Sequence, residues 1–247
     1  MPKIRSVERK TSLCLAKRRQ VVWGGLDEMI ETSLRFSSGK RREIDAEILR
    51  IASLLERDVI FGRLQPGDRL VEERIAAEHG VKRHIVRAAL VELQRMDIVE
   101  RRPNRGAVVK IHSEAEIAEL FQFRADLHRL AVAQLTFPWD AKRLAELKEV
   151  AQEHEHALET NDQDAAFDSN TRFHCLIFDC CGNRFLAQTI RRHAWLSHSI
   201  GFYQHDPAHQ DRSNLEHAQM VSMIEAGDRE GLAALAVNHI EPTAHRH

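Results

Sequence analysis

At 247 residues, 43% hydrophobic and 30% charged, the chain has room for one large domain or two modest ones, and apolar mass for a core. No apolar run approaches the roughly 18–20 residues of a membrane helix, and the basic start Met1-Pro2-Lys3-Ile4-Arg5 lacks the apolar stretch of a secretory leader. The net charge of −1 hides an uneven spread: 11 Lys/Arg against 4 Asp/Glu over residues 1–42, 13 against 12 over 43–112, and 12 against 21 over 113–247. A basic front and an acidic rear fit a phosphate-binding module joined to a part that does not touch nucleic acid. The cysteines, Cys14, Cys175, Cys180 and Cys181, follow no disulfide or zinc-finger spacing. The last three cluster in one apolar stretch and read as reduced core thiols of a cytoplasmic protein.

Residues 1–42 mix basic side chains with Trp-Gly-Gly and Ser-Ser-Gly and read as a flexible basic arm, with a short helix near Leu26–Leu34. From Glu43, the apolar positions Ile44, Ile48, Ile51, Leu54 and Leu55 recur at helical spacing up to Gly62. Pro66-Gly67 marks a turn. The pattern then predicts a short helix from Glu72 to His79, closed by Gly80 in a left-handed cap position, and a second helix from after Val81 to about Met96. Its apolar face carries Val86, Ala89, Leu90 and Leu93. Two helices about a tight glycine turn make a helix-turn-helix. The β-prone runs Ile98–Arg102 and Ala107–Ile111, split by Pro103-Asn104-Arg105-Gly106, predict a hairpin, which in this place is a wing.

Beyond His112 the chain turns wholly helical. Ser113 with Glu116 forms a capping-box signature for a long helix through Leu135. Further helical patterns follow over 140–159, 164–180, 183–202, 212–226 and 229–241. The expected fold is therefore mostly α: a winged helix-turn-helix over 43–112 and an all-helical bundle of about six helices over 113–247.

The stretch from Leu64 to Leu93 resembles the GntR family of bacterial regulators, through Pro66-Gly67, Leu70, Glu73-Arg74, Ala76, Gly80-Val81, Arg83, Val86-Arg87, Ala89-Leu90 and the wing's Asn104-Arg105-Gly106. The resemblance implies a homodimer reading a double-stranded DNA operator, more often as a repressor. It implies DNA contacts from Arg74, Arg83 and Arg87, with His84, Arg105 and Gly106 beside them. Arginine can fork onto guanine O6 and N7 or clamp a phosphate, and a glycine at the wing tip lets backbone approach the minor groove. Lys82, His84 and Ile85 depart from the small hydroxylated residues usual in the family, which points to a different base preference.

The C-terminal half resembles the FCD effector domain of the family's FadR-like branch, through Phe123-Arg124, Phe173-His174, Cys181-Gly182-Asn183, Glu216-His217 and Gly227-Asp228. That resemblance implies a divalent metal ion (zinc, nickel or manganese) held by Asn170, His174, His217 and His239. It also implies a small carboxylate effector met by Arg124. Asn170 and His174 are four apart and share a helix face; an amide oxygen and imidazoles suit such borderline ions. Asn170 stands where aspartate is more frequent, and His128 where glutamate is common. His154, His156, His193, His198, His205 and His209 match no motif and read as surface or pocket-lining residues. The expected function is a ligand-responsive, non-enzymatic transcriptional regulator; a metal-dependent enzyme using the same histidines, and an effector-independent DNA binder, are the alternatives.

Overall fold

The computed structural model describes residues 39–103, 106–202 and 207–240. Cys14, the short helix expected near Leu26–Leu34 and the wing-tip Arg105 lie outside them. Helix α1 (Gly39–Ile60) begins ahead of the expected boundary at Glu43, because Lys40-Arg41-Arg42 are good helix formers that continue its pattern. Its buried Leu49, Ile51, Ala52, Leu55 and Val59 face the helix-turn-helix.

Strand β1 (Arg69–Leu70), helix α2 (Glu72–Glu78), helix α3 (Arg83–Arg95) and strands β2 (Val99–Arg102) and β3 (Gly106–Val109) complete this module. Glu72 and Glu73 in the first turn of α2 suit the positive end of its dipole. The helix stops where Gly80 turns left-handed at φ +65°. Helix α3 buries Ile85, Val86, Ala89, Leu90 and Leu93 on one stripe. The antiparallel sheet has the order β1-β3-β2, with Val99 opposite Val109 and Arg102 opposite Gly106. Burying Ile75, Val86, Leu90, Leu93 and Val99 against α1 gives one continuous core. Ile85, 2% exposed, belongs to that core, so this departure from the family pattern cannot touch a base.

The rear half comprises α4 (Glu114–Gln134), α5 (Ala141–Glu159), α6 (Gln163–Phe178), α7 (Arg184–Ser197), α8 (Pro207–Ala226) and α9 (Arg229–Asn238). Ser113 and Glu116 cap α4 reciprocally, and these bonds pull the Glu116 carboxyl down to about 2. Asp140, Asp162, Asn183 and Asp228 cap α5, α6, α7 and α9 in turn. A 3₁₀ turn (Asp179–Cys181) leads into left-handed Gly182, and a π turn (His198–Phe202) follows α7. Leu147, Phe173, Ile177, Met220, Ile224 and Leu232 fill the bundle core. Cys175, Cys180 and Cys181 form no disulfide among the described residues. Among the described residues no helix is long and apolar enough to cross a membrane.

Candidate functional site

Two groups of side chains stand out, one on the winged module and one inside the bundle. On the first, Arg74, Arg83, His84, Arg87 and Gly106 are all exposed. Arg83 sits at the N-terminus of α3 and pairs with Glu73 at 2.9 Å and Glu72 at 3.6 Å. Arg87, one turn on, pairs with Glu72 at 2.9 Å. Glu72 is thus a bracket: its carboxyl is held down by the Arg87 hydrogen bond and aims both guanidiniums outward. The arginine side chains remain 56% and 59% exposed, free to exchange these partners for phosphate or base. Arg101, exposed on β2, also lowers the Glu72 carboxyl and adds charge to the same face. Neither Glu72 nor Arg101 was visible as a functional residue in the sequence, because each joins the site only through packing between elements. Gly106 takes φ +71° at the wing, a conformation a side-chain-bearing residue rarely adopts.

The second group lies inside the bundle. His174 on α6, His217 on α8 and His239 just past α9 bring one ring nitrogen each within 4.8 Å of the others. His174 Nε2 is 3.0 Å from His239 Nε2 and 3.3 Å from His217 Nε2. With metal–nitrogen bonds of about 2.1 Å, neighbouring ligand nitrogens sit about 3.0 Å apart on an octahedron and about 3.4 Å apart on a tetrahedron. These two edges, both made by His174, fall in that range. Hydrogen bonding alone serves them badly: His239 Nδ1 lies 2.7 Å from Glu216 Oε2 and donates to it, leaving a neutral ring's Nε2 as a lone pair. His174 Nε2 can donate to that lone pair or accept from His217, but not both. A cation among the three satisfies all of them. Asn170, one turn before His174 on α6, is 6% exposed.

Burial, then the neighbouring His239, holds the His174 and His217 rings well below the ordinary histidine value, so both are neutral and have lone pairs to give.

Arg124 on α4 is buried, and its Nη1 donates to Ser197 Oγ at 2.7 Å. Its Nε is buried without a partner, and no carboxylate pairs with it among the described residues. Burial alone pulls its pKa down to about 10, which leaves it charged at neutral pH. An enclosed cation without an anion is costly unless something anionic arrives. His128, one turn along, donates from Nδ1 to Ala236 O at 3.0 Å.

Burial, then Arg124, holds His128 down to about 3, and burial holds His154 down to about 4. Unfolded histidines titrate near 6.5, so both native rings stay neutral where the unfolded ones gain a proton. The sign follows from linkage. Their contribution is complete above about pH 6.5 and falls by about 1.4 kcal/mol per pH unit per histidine below it, until each folded pKa is reached. Urea unfolding between pH 7 and 5 is expected to show this loss. His128→Asn, which keeps the donor to Ala236, is expected to flatten the slope by one histidine's share; an identical slope contradicts the assignment.

Residues 119–242 match the family model described as the FCD domain, and residues 47–109 match bacterial regulatory proteins, gntR family. The chain is 24% identical over 198 residues to the HTH-type transcriptional regulator McbR of Escherichia coli (strain K12), covering 78% of this chain and 89% of the relative. It is 23% identical over 193 residues to the uncharacterized HTH-type transcriptional regulator YdhC of Bacillus subtilis (strain 168), covering 77% and 86%. The solved structure of E. coli McbR/YncC aligns with a TM-score of 0.65 at 23% identity, covering 78% of this chain and 92% of that one. A putative transcriptional regulator GntR from Rhodococcus sp. RHA1 aligns at 0.66 and 21%, covering 78% and 93%. At these identities the structures share the fold.

Proposed function

Because the chain belongs to the GntR family of bacterial regulatory proteins and carries an FCD domain, we propose that this DNA-binding regulator is a cytoplasmic repressor released by a small carboxylate bound beside a divalent ion. The observation that carries the reading is the pairing of a convergent three-histidine cluster with a buried arginine that has no carboxylate partner. Asn170, His174, His217 and His239 hold the ion, which is zinc, nickel or manganese by donor type. Four protein ligands on an octahedral ion leave positions for water or a carboxylate. The ion supplies Lewis-acid attraction for that carboxylate, and Arg124 meets its charge. Glu216, the carboxylate beside the cluster, is engaged on His239 Nδ1, which supports a sensing role over a hydrolytic one that needs a base facing the ion. The test is thermal melting of the full chain with zinc, nickel or manganese, then with added small carboxylates; a melting temperature that none of them moves contradicts the proposal.

Base and phosphate contacts come from Arg74, Arg83, His84, Arg87, Arg105 and Gly106. Arg83→Ala is expected to weaken binding to a selected operator by about 1–3 kcal/mol and leave the melting temperature unchanged, since the side chain lies off the apolar face. Unchanged operator affinity in both Arg83→Ala and Arg87→Ala would sink the docking geometry.

The protein acts as a homodimer, two recognition helices meeting two half-sites. Large apolar side chains on the packed pair α4 and α7 support this: Phe123 is 44% exposed, Leu130 50% and Phe185 66%. Leu130→Asp combined with Phe185→Asp is expected to convert a sedimenting dimer into a folded monomer. A dimer that survives both charges places the interface elsewhere.

A further inference from the structure

His154 stands outside the ion site by motif but beside it in space. Its Nδ1 lies 3.0 Å from Ala166 O and 3.3 Å from Ser169 Oγ. A carbonyl only accepts, so Nδ1 carries the hydrogen; the Ser169 hydroxyl is itself directed to Ala165 O at 2.7 Å. His154 Nε2 is therefore a bare lone pair, and it is buried without a partner.

The complementary defect sits on the next ring. His217 Nδ1 is also buried without a partner, while its Nε2 faces His174 Nε2. A neutral ring that gives Nε2 to an ion must carry its hydrogen on Nδ1. The rings of His154 and His217 lie 4.9 Å apart between centroids at 55°, and Phe173 stacks on His217 at 4.2 Å. One orphan donor and one orphan acceptor thus occupy adjacent rings.

We propose that His154 is a positioning residue for the ion site: its Nε2 accepts the hydrogen of His217 Nδ1 and so turns His217 Nε2 toward the ion. The relay runs from Ala166 O on α6 through His154 on α5 to His217 on α8. It matches the contact of His239 with Glu216, so two of the three imidazoles have their second nitrogen engaged. The inference rests on the ion reading above.

Calorimetric titration of the full chain with Zn²⁺ tests it. His154→Phe, which keeps an aromatic ring and removes the acceptor, is expected to weaken Zn²⁺ binding 10- to 100-fold. His154→Gln, whose amide oxygen can accept, is expected to recover most of that loss. Nitrogen-15 spectra of the wild-type rings are expected to show hydrogen on Nδ1 of both His154 and zinc-loaded His217. Wild-type uptake of zinc with equal affinity in His154→Phe overturns the inference and leaves the ion site standing. Wild-type protein that takes up no zinc overturns the ion reading and this inference together. Should His154→Phe fail to fold, the wild-type spectrum decides alone, and hydrogen on His154 Nε2 overturns the relay.

Discussion

Replacing Phe167 with alanine is expected to lower the unfolding free energy by about 3–5 kcal/mol, the range for emptying a fully buried aromatic site. Phe167 on α6 is 0% exposed. Its ring meets Phe61 at 5.8 Å, Trp195 at 5.1 Å and His198 at 5.4 Å, all edge-on. Those partners come from the winged module, from α7 and from the π turn, so the cavity opens where the two halves join. Arg57 on α1 pairs with Asp164 and Asp168 on the flanking turns of α6. Arg192 on α7 donates to Arg95 O at the end of the recognition helix at 2.5 Å. The same α7 holds Arg124 through Ser197. A carboxylate drawing Arg124 away from Ser197 would therefore act on the helix that touches the last turn of α3. Urea unfolding measures the stability loss, and a change below about 1 kcal/mol contradicts the assigned packing.

The second large effect concerns the ion. A ligand present at 1,000 times its dissociation constant stabilises the native state by about 4 kcal/mol. Chelation of zinc-loaded protein is expected to remove stabilisation of that order, and His174→Ala to erase the difference between loaded and chelated samples. Asn170→Asp is expected to widen it, because a carboxylate adds charge attraction in the same position. Acid is expected to release the ion as the ligand imidazoles take protons. Equal melting temperatures for loaded and chelated wild-type protein contradict the site. The histidines would then be polar groups lining an organic-ligand pocket, with Arg124 its leading contact.

Periodicity carried most of the fold. The stripe Val86, Ala89, Leu90, Leu93, the left-handed Gly80 and the Ser113–Glu116 capping box are local signals, and local sequence decides them. Strand β1 escaped notice because two residues have no period of their own; Arg69 becomes a strand only by pairing with Val108. The π turn after α7 carries no sequence mark either, and its residues read simply as continued helix. Of the proposed ion site, only Asn170 and His174 share a helix and could be grouped by spacing. His217 and His239 rest on resemblance, and His154 was invisible because a distant fold contact, not a motif, places it beside His217. Arg124 could be named, but its partner could not: Ser197 lies 73 residues away, a hydroxyl rather than the acid that charge pairing would suggest.

Selection of bound duplexes from a random-sequence DNA library by the purified full chain, at moderate salt, tests the central claim most directly. The expected result is enrichment of one shared sequence with two related half-sites about one helical turn apart, bound more tightly than unrelated duplex at the same salt. Recovery of duplexes with no common sequence, with retention that fades uniformly as salt rises, would mean phosphate attraction without reading and would contradict it.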